Sequence, residues 1–314
     1  MKFTIVVHGG AGTILKKDMT AELEQTYMEG LQLALNEGYK ILQHGGSSID
    51  AVIAAVVAME DNIIFNAGKG SVFDHKGIHE MDAAVMKGDD LSAGAVCGVR
   101  NIRNPVKLAA EVMYNSGHVL LSGEGANNFA KKQNIQFEPD EYFFSQFRYD
   151  QWLAMRNTHE YSLDHSNQNV EHLVEDKKFG TVGAVACDEH GNIAAATSTG
   201  GMTNKRFGRI GDSPLIGCGT YANNKTCAIS CTGHGEPFIK AVAAYDVSCL
   251  MEYAHMNLHD AMNKVVNEKL IAINGEGGMI GVDAQGNFAL LFNCEGMYRG
   301  IKTSEGFEEV AIYK

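Results

Sequence analysis

Between Phe179 and Asp188 the chain reads Phe-Gly-Thr-Val-Gly-Ala-Val-Ala-Cys-Asp, and its character changes there. Upstream lies a polar, irregular run; downstream come short β-type segments separated by glycine. Val182, Ala184 and Ala186 alternate with Thr181, Gly183, Val185 and Cys187, the two-residue period of a strand. Asp188 to Asn192 supplies a turn, and Ile193 to Thr197 the returning strand. The boundary bears on chemistry as well. If the Gly180–Thr181 bond broke, Thr181 would carry a free α-amine beside its own hydroxyl, a nucleophile and its base in one residue.

The first half supplies strands and helices of its own. Phe3 to Val7 reads as a strand ending in a glycine turn, His8-Gly9-Gly10-Ala11-Gly12; the dinucleotide pattern fails because Leu15 stands where a third glycine is needed. Leu23, Tyr27, Leu31 and Ala34 fall at helical spacing. Ser47 with Asp50 caps a second helix that is apolar on all faces from Ile49 to Met59, which predicts burial between layers. Phe65 to Phe73, Met81 to Met86 and Ala93 to Val99 read as strands of small residues, and Asn104-Pro105 opens a helix to about Asn115. Aromatics cluster from Tyr142 to Trp152, and His159 to Lys178 is polar with little periodicity. The whole stretch from about Asp140 to Lys178 reads as a solvated linker between domains or, after cleavage at Gly180, as a free tail. Beyond Thr197, Glu236-Pro237 starts a helix to about Tyr253, a second runs from Leu258 to about Ala272, and Gly278 to Phe292 forms a hairpin.

Bulk properties narrow the function. A net charge of −12 leaves no basic surplus to neutralise phosphates, which argues against nucleic acid as a partner. It also requires that any acidic substrate be met by a local cation. The seven cysteines form no C-x-x-C pair, so neither a zinc site nor a disulfide framework is indicated. Met1-Lys2-Phe3 runs directly into the first strand, and the apolar run Ala51 to Met59 is far shorter than the roughly 20 residues that span a bilayer. No membrane association and a cytoplasmic location are expected.

A threonine hydroxyl is a poor nucleophile until a base takes its proton, and an α-amine of pKa ~8 can do so when neutral. Thr199 is placed to orient that pair, while Thr232 and the Gly233 N–H suit a tetrahedral oxyanion. Arg209 offers a fork for a carboxylate and Asp212 a partner for an ammonium group. Each has a plainer reading: Arg209 and Asp212 as a surface ion pair, the threonines as ordinary strand residues, and Thr232-Gly233-His234-Gly235 as a turn.

Taken together, Gly180-Thr181-Val182-Gly183-Ala184-Val185-Ala186, Thr197 to Lys205, Gly208 to Pro214 and Cys231 to Glu236 resemble the plant-type asparaginase/isoaspartyl peptidase family of N-terminal-nucleophile hydrolases. His8-Gly9-Gly10-Ala11-Gly12, Phe65-Asn66-Ala67-Gly68 and Arg103-Asn104-Pro105 extend the likeness over nearly the whole chain. The resemblance implies an α+β fold, a four-layer αββα sandwich, made as a precursor that cleaves itself between Gly180 and Thr181. Residues 1–180 would form one subunit, ending in a flexible linker of about 155–180, and residues 181–314 the other. Together they would make one globular domain, assembled as a dimer of such heterodimers. Thr181 would be the nucleophile, Thr199 its supporting hydroxyl, Thr232 and Gly233 the oxyanion site, and Arg209 with Asp212 the substrate clamp. Asn66, His8, Gly9 and Gly10 would support processing. No cofactor would be needed for the chemistry, though in this family a loop matching Met59, Glu60, Asn62, Phe65, Ala67 and Lys69 can hold a structural sodium ion through backbone carbonyls. L-Asparagine and β-aspartyl dipeptides are the implied substrates. A glycosylasparaginase-type amidase and an uncleaved binding protein for acidic amino acids are the alternatives.

Overall fold

The computed structural model describes residues 2–156 and 178–314, so the polar stretch assigned to a linker lies almost wholly outside the described residues. In chain order the first part contains strand β1 (Thr4–Gly12), helices α1 (Ala21–Gln43) and α2 (Ser48–Glu60), and strands β2 (Met81–Lys87) and β3 (Ala93–Val99). Helix α3 (Pro105–Asn115), strand β4 (Leu120–Ser122) and helices α4 (Gly123–Lys132), α5 (Asp140–Phe143) and α6 (Gln146–Met155) complete it. The second part opens with β5 (Lys178–Phe179), β6 (Thr181–Cys187) and β7 (Ile193–Thr199), then β8 (Thr220–Ala222) and β9 (Ala228–Gly233). Helices α7 (Gly235–Ala241), α8 (Ala243–Ala254) and α9 (Leu258–Lys264) follow, and β10 (Gly277–Val282), β11 (Phe288–Phe292), β12 (Gly296–Thr303) and β13 (Glu308–Tyr313) close the chain.

These elements stack in four layers. The large sheet runs β13-β12-β1-β6-β7-β2-β3-β4, with β5 pairing β1, and the small sheet runs β11-β10-β9-β8. Helices α1, α2 and α3 pack on one face of the large sheet, β9 and β10 cross its other face, and α8 and α9 cover the small sheet. Strand alternation sorts the core accordingly. Val182, Ala184 and Ala186 join Leu35, Val52 and Val56 under the helices, while Val185 and Cys187 join Ile229 and Ile280 between the sheets. The αββα sandwich implied by the resemblance is the observed fold.

Several elements differ from the sequence reading. His8 to Gly12 is not a turn but the second half of β1, with a bulge between His8 and Gly10 against β12. Residues 65–73 are not a strand; they form a tight turn around a short helical segment, Gly68–Gly70. Small residues there serve close approach, since a Cβ on Gly70 would run into the carbonyls of Phe65 and Ile63. Ser47 caps α2 through the Asp50 amide as expected, but α2 is open on one side. Ile53, Ala54, Val57 and Ala58 line a groove with Leu33 and Ile63. The aromatic cluster is packed rather than solvated: Phe73 lies 5.9 Å from Trp152 and 5.8 Å from Tyr149, ring centre to centre. Arg148 of α6 donates to the carbonyls of Gly70 and Ile64, so α6 is bolted to that turn.

Candidate active site

The head of β6 carries the first constraint. β1 pairs His8 with Gly183, then pairs Ala11 with Phe179 and Gly12 with Lys178. From Gly183 back to Lys178 is five residue steps, against four from His8 to Gly12, so the strand through Gly180–Thr181 holds one extra residue. A bulge of this kind bends the strand and re-aims its side chains. Gly180 is required for space rather than for an unusual backbone angle: a Cβ there would lie 2.5 Å from the Asn66 Cβ. Asn66 is itself fixed, donating to the Gly201 carbonyl at 2.7 Å and accepting from the Val72 amide at 3.0 Å.

Thr181 and Thr199 face each other across β6 and β7. The Thr181 hydroxyl donates to Thr199 Oγ1 at 3.2 Å, and Thr199 in turn approaches the Gly180 carbonyl at 3.4 Å. The Gly201 amide, donating to Thr199 Oγ1 at 3.0 Å, fixes that hydroxyl. One side chain therefore accepts a hydrogen bond from the Thr181 hydroxyl and points its own hydrogen at the carbonyl oxygen of the Gly180–Thr181 bond.

Gly180, Thr181, Thr199, Gly201, Met202, Arg209, Gly211, Asp212, Ser213 and Gly233 line one cleft. Arg209 and Asp212 both line this cleft and do not form a surface ion pair. Arg209 is held by Glu236 through two 2.9 Å hydrogen bonds, from Nε and Nη2, while Nη1 lies against Gly211. His234 reaches the same carboxylate at 3.0 Å, and hydrogen bonds from His234 and Arg209 hold Glu236 far below the usual carboxylate range despite its partial burial. Asp212 is buried, and its Oδ2 has no hydrogen-bond partner among the described residues. Burial pushes its pKa up to about 7, against the pull of Arg209. An unpaired buried carboxylate oxygen costs free energy until a donor arrives, and an ammonium group supplies one.

The remaining sequence-assigned residues fall in two places. Gly233 lines the cleft with a φ of 147°, where a Cβ would meet the Glu276 carbonyl. Thr232 is fully buried behind it, its Oγ1 accepting from the Ala11 amide at 3.2 Å, and it does not line the cleft. His8, Gly9 and Gly10 lie on β1 beside the bulge, where the His8 ring contacts the Thr181 carbonyl at 3.0 Å. Nothing in the type or spacing of Glu236 assigns it this role beside Arg209. Nor does anything in its type or spacing single out Lys205, whose buried ammonium donates to the Glu80 carbonyl at 2.7 Å beneath Gly201.

An αββα sandwich with a glycine–threonine step at the head of an inner strand defines the N-terminal-nucleophile hydrolase class. A family model described as asparaginase matches residues 1–312. The chain is 52% identical over 313 residues to the isoaspartyl peptidase of Salmonella typhimurium, covering 100% of this chain and 99% of that one. It is 51% identical to the isoaspartyl peptidase of Escherichia coli, covering 100% and 97% respectively. With a probable isoaspartyl peptidase/L-asparaginase of Arabidopsis thaliana it shares 38% identity over 99% of both. The chain belongs to this asparaginase family.

Proposed function

We propose that this protein is a threonine-dependent amidohydrolase, an isoaspartyl peptidase with L-asparaginase activity, that matures by cutting its own chain. The observation that carries the reading is the Gly180–Thr181 step, held in a bulge with Thr199 bonded to both sides of it. In the precursor, Thr181 Oγ1 attacks the Gly180 carbonyl carbon while Thr199 receives its proton and donates to the carbonyl oxygen. The C–N bond then breaks to leave an ester and a free Thr181 amine, and water opens the ester. In the mature enzyme that amine takes the hydroxyl proton, and Oγ1 attacks the side-chain amide of asparagine or the isopeptide carbonyl of a β-aspartyl peptide. The Gly233 N–H and Thr232 would steady the oxyanion, with Thr232 turning from its present partner. Ammonia or a peptide amine leaves with the proton, and water releases aspartate.

Arg209 and Asp212 take the α-carboxylate and α-ammonium of the aspartyl group, as the unpaired Asp212 oxygen favours. Residues 1–180 and 181–314 would remain one body, and the groove between α1 and α2, lined by apolar and charged side chains alike, supports self-association as a dimer of heterodimers. The turn after α2 suits a sodium ion held by carbonyls, because Gly68 and Gly70 lack the side chains that would press on the carbonyls of Glu60 and Phe65. No described helix is long and apolar enough to cross a membrane, and a cytoplasmic location fits this reading. Thr181→Ala tests it: one uncut polypeptide without amidase activity is expected by mass and by assay with β-aspartyl-leucine and asparagine. Normal processing of that variant would remove Thr181 from the role.

A further inference from the structure

A chain of buried polar groups runs from the Thr181 carbonyl to that of Ser213, a residue that lines the cleft. His8 Nδ1 is 3.0 Å from the Thr181 carbonyl and His8 Nε2 is 2.8 Å from Ser230 Oγ on the facing sheet. Ser230 Oγ lies 2.7 Å from Thr197 Oγ1, and Thr220 Oγ1 lies 2.6 Å from Thr197 Oγ1 and 3.0 Å from the Ser213 carbonyl. His8, Ser230, Thr197 and Thr220 are all completely buried.

One assignment fixes the rest. A carbonyl oxygen only accepts, so His8 Nδ1 carries the hydrogen. Burial lowers the His8 pKa to about 3, so the ring is neutral and Nε2 is bare. Ser230 must then donate to Nε2, which leaves its oxygen to accept from Thr197, while the single hydroxyl hydrogen of Thr220 lies within reach of both Thr197 Oγ1 and the Ser213 carbonyl. The Thr181 carbonyl and the two hydroxyls nearest the ring are thus satisfied together by one tautomer, the one with its N–H at Nδ1 facing Thr181. Gly183 makes the contact possible: a Cβ there would run into both Ser230 Oγ and His8 Nε2. The two sheets are joined through the gap that this glycine leaves in β6.

We propose that Ser230, backed by Thr197, is a positioning residue for the chemistry at Thr181, acting through His8 to hold the peptide unit that follows the nucleophile. The proposal rests on Thr181 being that nucleophile. Its physical basis is the loss of restraint on cleavage. Once the bond to Gly180 is gone, Thr181 is still held by its β7 partner Thr199 and by this carbonyl contact, which then aim its amine and hydroxyl. A small misplacement of a reacting group costs rate steeply.

Ser230→Ala and Thr197→Val, each in the full chain, are to be followed in three ways: the rate of cutting by mass, kcat and KM for β-aspartyl-leucine per cut site, and the long-range proton–nitrogen NMR spectrum of His8, assigned by its loss in His8→Gln. In the unaltered protein the ring should show a protonated Nδ1 and a bare Nε2, unchanged between pH 8 and about pH 5. Ser230→Ala should slow cutting and lower kcat about tenfold with little change in KM, as for lost orientation rather than lost binding. It should also let the ring populate the opposite tautomer. Thr197→Val should shift each quantity the same way by less. A protonated Nε2 in the unaltered protein overturns the proposal, as does a kcat for Ser230→Ala within about twofold of the unaltered value. So does a loss that reflects only a smaller folded fraction. An unaltered chain that fails to hydrolyse the dipeptide strikes the proposed activity instead, while the spectrum and the cutting rate still decide the positioning.

Discussion

At the residue scale, Asp212 and Gly180 make separate demands on the chemistry. Asp212 must be ionised to take an ammonium group, and with its pKa raised to about 7 it becomes neutral as pH falls through that value. In the proposed mechanism the Thr181 amine must be neutral to act as base, so two groups would be lost to protonation on the acid side of the kcat/KM profile. The limb should steepen toward two log units per pH unit, and Asp212→Asn should return it to one while lowering kcat/KM roughly 100-fold, the cost of a charge-assisted contact. An unchanged slope in that variant would take Asp212 out of the clamp. At Gly180 the constraint is volume: a methyl group would meet Asn66 at 2.5 Å. Gly180→Ala should slow cutting by about tenfold or more, read by mass over time, because the attack geometry has to open. Residue type alone left Thr181, Arg209 and Asp212 with plainer readings, and the roles proposed for them come from the ordered motifs that resemble the family. Glu236 was not legible, since nothing local says that a carboxylate 27 residues on will fill the Arg209 fork. Ser230 and Thr197 carried a weak signal. Thr197 shares its strand face with Ile193 and Ala195, and a hydroxyl on a buried face needs a partner.

At the element scale, strands and long helices followed their periods, and the errors gathered where tertiary contact overrides local pattern. The reading of β1 stopped at Val7 because glycines suggest a turn, yet Gly9 is there so that Phe65 can approach: a Cβ would lie 2.5 Å from its ring. Helix α2 looked fully enclosed because apolarity cannot distinguish a buried face from a groove open to solvent. The expected single helix from Glu236 to Tyr253 is two, α7 and α8, divided at Val242. That residue is left-handed, with φ 50° and ψ 49°, while the amides of Val242 and Tyr245 are taken by the carbonyls of Ile239 and Gly217. No turn residue marks the break, so sequence reasoning ran the helix through it. A β-branched side chain in this conformation costs about 1–2 kcal/mol. Val242 is 42% exposed, so little packing is at stake. Val242→Asn, which tolerates the left-handed region without the entropy cost of glycine, should stabilise by about 1 kcal/mol. The urea midpoint should rise with the m-value unchanged; a fall would mean that the strain is not relieved there.

At the scale of the whole molecule, the order of strands decides what a cut at Gly180 can do. Reading across the large sheet, β13 and β12 come from the second part of the chain, β1 from the first, β6 and β7 from the second, and β2, β3 and β4 from the first. The proposed pieces are therefore interleaved: β1 is held on one side by β12 over eight pairs and on the other by β6 over five. β2 is joined to β7 over six. Pulling them apart would expose both long edges of β1 and split the core beneath α1 and α2, which packs on strands from both pieces. Such edges and apolar faces are not stable in water. Cleavage should leave the two pieces as one species in size-exclusion chromatography under native conditions, separating only in denaturant. Expressed separately, residues 1–180 and 181–314 should be insoluble or unfolded, and expressed together they should give an active protein. Since Thr181 need not be released from a precursor when its piece begins there, that co-expression also separates folding from processing. Pieces that part under native conditions, or fold alone with native circular dichroism, would mean that the interleaved sheet does not hold the enzyme together.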